Sequence, residues 1–202
     1  MSLITRYCRI KDRTIVRQGE VLHEDHHGSL DDFLDNALTS LSISYPKFYK
    51  MDRLSKLGFL ATEMLLKDVS LNERYQPQEV ALVLSNAHAS LDTDKRYFET
   101  LKTMASPALF VYTLTNIVMG EICIRHGIKG ENAFFVSESF DSEQMSAYVG
   151  LVLAGPKTKA CIAGWVDVMG EHHDVFLYLG EKQNNIGGLQ HTAANLRQLY
   201  NG

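Results

Sequence analysis
Apolar residues change their spacing several times along the chain, and each change marks an element. Residues 4–21 alternate loosely (Ile4, Arg6, Cys8, Ile10, then Thr14-Ile15-Val16), which predicts one or two short strands. From Leu30 the period becomes helical. Leu30, Phe33, Leu34, Ala37, Leu38 and Leu41 form a stripe, Ser29 can cap it, and Asp31 and Asp32 sit in the first turn against the dipole. Residues 45–50 interrupt the pattern as a linker whose aromatics suit packing over a helix end. A second amphipathic helix spans 51–67, with Leu54, Leu57, Gly58, Ala61, Met64 and Leu65 on one face and Lys56, Glu63 and Lys67 outside. Gly58 costs helix propensity, so a close approach by another backbone is expected there. Residues 78–86 then run apolar as a buried strand and end in the small polar loop Ser85-Asn86-Ala87-His88-Ala89-Ser90.

The second half repeats the alternation of helix and strand. A short polar helix is expected over 92–104, its buried side Tyr97, Phe98 and Leu101, before Pro107 breaks it. An apolar helix over 113–126 stops at Gly127, and the turn 127–130 leads to Phe134-Phe135-Val136, unbroken as in a strand covered on both faces. After Glu138-Ser139-Phe140-Asp141-Ser142 a helix covers 143–153. A strand over 158–168, a turn at 170–173 and a strand over 174–180 make a hairpin or adjacent pair. Residues 181–189 read as a polar, Gly-rich mobile stretch, and 191–200 as a last helix with Ala193, Leu196 and Leu199 inward.

Composition narrows the function classes. With 202 residues the chain reads as one domain, 1–202, and 45% hydrophobic with 22% charged residues is ordinary for a globular protein. A net charge of −4 argues against a nucleic-acid face built on phosphate contacts. No run approaches a membrane span, and the N-terminus lacks a signal-peptide core. Three cysteines, Cys8, Cys123 and Cys161, have no paired spacing, which points to a reducing, cytoplasmic setting. The run Leu22-His23-Glu24-Asp25-His26-His27-Gly28 invites a metal reading, but it offers no third spaced ligand and reads as a solvated loop. Neither metal nor cofactor is expected.

Candidate chemistry lies where the strand at 133–137 turns into the helix at 143. Such a turn sets one side chain beside unpaired N–H groups and the positive end of a helix dipole, a place where enzymes keep nucleophiles. Here stand Leu114-Thr115-Asn116, Gly120, Gly127-Ile128-Lys129-Gly130-Glu131-Asn132, Val136 and Ser137-Glu138-Ser139, and upstream Lys50-Met51-Asp52-Arg53-Leu54-Ser55. Over residues 45–169 this resembles the N-terminal half of the β-ketoacyl-acyl carrier protein synthases. These have Leu-Pro-Asn, Gly-Ile/Leu-Lys-Gly-Pro-Asn, a hydrophobic strand, a nucleophilic Cys in Thr-Ala-Cys-Ala-Ser/Thr-Gly, and an early Arg-Met-Asp-Arg. Counted from Gly130 without a gap, the family's Cys falls on Ser139 and the elbow Gly on Ser142. Trp165, in Gly164-Trp165-Val166-Asp167, departs from the Ala-Gly-Gly that ends the corresponding family strand.

The resemblance implies an α/β fold, the thiolase-like half, with a mixed sheet of about five strands and helices on both faces. It makes Ser139 the catalytic position, Asn116, Phe140 and His88 substrate-binding candidates, and Asn132, Phe134 and Val136 interface residues. It also implies a C-terminal half with two histidines and a lysine, which this chain does not contain. A helix dipole ionises a thiol usefully but not a serine hydroxyl, and Glu138 beside Ser139 opposes a developing anion. The expectation is a pseudoenzyme, a homodimer or a heterodimer with a full-length ketoacyl synthase. It would shape an acyl tunnel or bind acyl carrier protein in fatty-acid, polyketide or polyene assembly. An acyltransferase or thioesterase using Ser139 is the enzymatic alternative, although the G-x-S-x-G elbow is absent. A small-ligand binder using the acyl pocket is the third.

Overall fold
A computed structural model describes residues 2–182 and 187–202. The N-terminal alternation folds into three strands rather than one or two: β1 (Ser2–Lys11), β2 (Thr14–Arg17) and β3 (Glu20–Glu24). Two-residue turns join them, Asp12-Arg13 and Gln18-Gly19, all four residues at positive φ. That turn geometry matches the twist of paired strands, and it carries β3 into the stretch expected to be a solvated loop. A loop then leads to α1 (Leu30–Ser40), where Ser29 and Asp32 form a reciprocal capping box. In place of a linker, residues Pro46–Lys50 form a 3-10 turn that buries Phe48 against Phe59. Asp52 caps α2 (Arg53–Leu65) through the Ser55 N–H at 2.9 Å.

The remaining elements follow in order: α3 (Leu71–Arg74), β4 (Val80–Asn86), α4 (Leu91–Thr100), α5 (Pro107–Phe110), α6 (Ile117–His126), β5 (Asn132–Val136), α7 (Ser142–Ala154), β6 (Ala160–Met169), β7 (His172–Lys182), β8 (Leu189–Gln190) and α8 (Ala193–Asn201). The expected mobile stretch after 181 is partly strand, and its residues 183–186 lie outside the described ones.

All eight described strands join one mixed sheet, more than the five expected, in the order β3-β2-β1-β7-β6-β4-β5 with β8 on β1. β4 runs parallel to β5 and β6, whereas β6, β7, β1, β2 and β3 pair antiparallel. Alternation along the strands divides the interior into two cores. Leu82, Leu84, Ile162, Val166 and Leu177 face α1, α2 and α6. Ala81, Val83, Cys161, Trp165 and Phe176 face α7 and α8. Helices therefore cover both faces.

Several local expectations are corrected. Helix α6 starts at Ile117, not 113, because Leu114 is extended (φ −104, ψ 118) and breaks the ladder. Gly58 is met by the Val118 side chain rather than by backbone. Lys56 and Glu63 do not face outward. Lys56 is buried against Asp35 at 2.7 Å, and Glu63 pairs with Arg125 at 2.8 Å. Strand β5 is an edge strand, bonded on one side to β4, and Val136 is 60% exposed. On α4, Asp92 and Thr93 are the buried residues, while Phe98 and Leu101 lie in solvent, as do Met104, Phe110 and Leu114 beyond them. No single helix among the described residues is long and apolar enough to cross a membrane.

Candidate functional site
Strands β4, β5 and β6 end side by side, and the loops leaving them carry the candidate chemistry; open α/β sheets bind ligands at this end. Ser137 N–H, the first after β5, donates to the Asn86 carbonyl at the end of β4 (3.0 Å). The Asn86 amide closes the next turn, its Nδ2 donating to Ala89 O (2.8 Å) and its Oδ1 accepting from Ala89 N–H (3.0 Å), with Ala89 at φ +49.

Asp167, on β6 and buried, anchors this turn from the other side. Its Oδ1 accepts the N–H groups of Ala87 (3.0 Å) and His88 (3.1 Å), and its Oδ2 lies 2.9 Å from His88 Nδ1. Across the hairpin, Asp174 of β7 stands opposite Asp167, and Lys11 of β1 opposite Asp174. The Tyr200 hydroxyl donates to Asp174. Burial and that carboxylate push the Tyr200 phenol well above its ordinary range, so it stays a donor. His88, Asp167, Asp174 and Lys11 thus form a polar row across the end of the sheet, above the aromatic contact of Phe140 with Tyr200 (4.8 Å) and Phe176 (5.4 Å).

Ser139 is exposed in the loop between β5 and α7, two residues before the N-cap of that helix. The helix mouth is filled by Asp141, whose Oδ1 accepts from Glu143 N–H and Gln144 N–H, each at 3.0 Å. The Ser139 carbonyl accepts from Ser137 Oγ at 3.0 Å, and no base reaches the Ser139 hydroxyl among the described residues. Phe140 anchors the loop on the α7–α8 face of the sheet. Asn116, at the start of α6, is exposed and belongs to the opposite face, so the structure separates it from Phe140 although both lie at the same end. Asn132 and Val136 are exposed on the edge strand, and Phe134 packs partly on the α2–α6 core.

Elsewhere, the histidine run forms no group of three metal-ligating residues among the described ones. The three cysteines are free thiols; burial pushes Cys8 up to about 12 and Cys161 higher still, leaving both unsuited to nucleophilic chemistry. Sequence reasoning missed Asp167, Asp174 and Tyr200. An aspartate inside the apolar run Trp165-Val166-Asp167-Val168 was the available signal, since a buried carboxylate needs partners.

No family model matches the chain, and no curated protein matches it. Solved structures do. The ishigamide ketosynthase/chain length factor superposes with a TM-score of 0.66 at 14% identity, covering 93% of this chain and 63% of that one. A type II acyl-carrier protein in complex with its ketosynthase bound to the hexaketide gives 0.63 at 12%, covering 90% and 62%. The chain thus spans under two thirds of the length of these two. A complex of a ketosynthase with its chain length factor from Xenorhabdus doucetiae gives 0.58 at 15%, covering all of this chain and 91% of the matched one. At these identities the likeness speaks for architecture: the chain has the thiolase-like fold of the ketosynthases.

Proposed function
We propose that this chain is a ketosynthase-like subunit that does not catalyse condensation and that pairs with a full-length ketosynthase in fatty-acid, polyketide or polyene assembly, where it shapes the acyl chamber or docks the carrier protein. The observation that carries the reading is the open edge of β5. A parallel strand at the rim of a large sheet, with Val136 exposed, leaves backbone donors and acceptors that a partner strand satisfies. The segment between β4 and α6 adds exposed Phe98, Met104, Phe110 and Leu114, apolar surface of the kind that marks a protein interface. Likeness in fold to a chain from a ketosynthase and chain length factor complex supports the same partner.

The loop speaks against condensing chemistry at residue 139. Asp141 uses the helix N–H groups that would stabilise an anion, and Ser139 has an alcohol where the resembled enzymes have a thiol. The test is co-expression of the tagged chain with full-length ketosynthases, followed by size exclusion with light scattering. A heterodimer is expected, weakened at least about tenfold by Val136→Lys because a charge is then desolvated at the joint. A chain that stays monomeric beside every ketosynthase, or that pairs only with itself, overturns the reading.

A further inference from the structure
The end of the sheet holds an ionisable group that the subunit reading leaves unused. His88 is held at one ring nitrogen and open at the other. Asp167 is buried, and the backbone N–H groups of Ala87 and His88 fix its carboxylate as an acceptor. The ring nitrogen meeting that acceptor is Nδ1, at 2.9 Å, so in the neutral imidazole the proton sits on Nδ1 and the lone pair on Nε2. The ring is 38% exposed, and Nε2 has no protein partner among the described residues. Asp174 and Lys11 continue the row, and half-buried Phe140 offers apolar surface on the same face.

We propose that His88, positioned by Asp167, is a general base that directs water onto the carbonyl of an acyl thioester. The choice of thioester rests on the proposed function; the base rests on the geometry alone. Nε2 takes a proton from water as the new C–O bond forms. The tetrahedral adduct then collapses, the C–S bond breaks, and the imidazolium returns the proton to the departing sulfur. The products are a carboxylic acid and a free thiol, with no redox change. Asp167 acts through the ring, holding its tautomer and stabilising the transient imidazolium. Such a site would clear stalled acyl chains from a carrier, an activity separate from condensation.

The assay uses the purified full chain with butyryl and octanoyl thioesters of N-acetylcysteamine, following thiol release. Hydrolysis above the buffer rate is expected, falling at least about 100-fold in His88→Gln while Lys102→Ala, an exposed change outside the polar row, is unchanged and circular dichroism shows both variants folded. Asp167→Asn should lower kcat at least about tenfold with KM held, a split that a merely structural loss would not give. Wild type no faster than buffer, His88→Gln as active as wild type, loss confined to Ser139→Ala, or an Asp167→Asn loss confined to KM would each overturn the proposal. No ketosynthase enters this assay, so its failure and a failure to form the heterodimer are read separately.

Discussion

A Cβ on Gly58 would lie 2.5 Å from Cγ2 of Val118, so α2 and α6 meet at a distance that only a hydrogen at position 58 permits. Gly58→Ala is expected to destabilise the fold by about 1–3 kcal/mol through overpacking, partly offset by up to about 1 kcal/mol of helix propensity. In the double variant with Val118→Ala the combined loss should fall short of the sum of the single losses by more than about 0.5 kcal/mol. Denaturant titration of the four proteins measures the coupling, and strict additivity would mean the helices do not meet there.

Gly164 is constrained more tightly. Its φ of +146 excludes most side chains, and a Cβ would fall 1.9 Å from the Phe176 carbonyl oxygen on the neighbouring strand. The obstacle is backbone, so it cannot rotate aside. Gly164→Ala should cost at least about 3 kcal/mol and open the β6–β7 hairpin. A variant melting within a degree or two of wild type would be incompatible with this register.

The loop after β5 separates two roles that the sequence placed together. Asp141→Ala removes an N-cap that serves two N–H groups and should cost about 1 kcal/mol. Ser139→Ala removes an exposed hydroxyl and should leave stability within about 0.5 kcal/mol of wild type. The reverse order in thermal melts would place Ser139, not Asp141, at the helix mouth.

Acid should weaken the fold in two windows. Burial lowers His191 from 6.5 to about 4, so between those values the folded chain binds fewer protons than the unfolded one. That contribution is whole above pH 6.5 and is lost as pH falls toward 4. His173, lowered chiefly by burial, acts in the same direction. Glu63 follows the carboxylate pattern. Burial opposes its ionisation, but the His126 ring at 3.2 Å and the hydrogen bonds from Arg125 prevail and hold it at about 2. Its contribution is present above 4.5 and lost as pH falls from there to about 2. Stability against pH for His191→Gln should be flatter in the upper window only, and for Glu63→Gln in the lower window only. Wild-type slopes in both variants would remove these assignments.

Much of the fold was legible because it is written locally. The Ser29 cap, the Gly127 stop, the unbroken run from Val80 to Leu84 and the helix behind Asp141 depend on neighbours close in the chain. The edge position of β5 was not legible, since Phe134-Phe135-Val136 reads the same whether one side of a strand is paired or both. Nor was the outward face of α4. Phe98 and Leu101 have helical spacing, and only the packing of Asp92 and Thr93 against the body shows that the apolar side is turned away.

The site shows the same division. By its order alone the sequence set Ser139 between a strand and a helix and left His88 in the loop after a buried strand. Which carboxylate meets that histidine could not be read from it. His88 and Asp167 are 79 positions apart, and they come together because β4 and β6 lie side by side in parallel register. Periodicity records which face of an element is apolar. Pairing between distant strands sets which polar groups share one end of a sheet, and only the folded chain decides that.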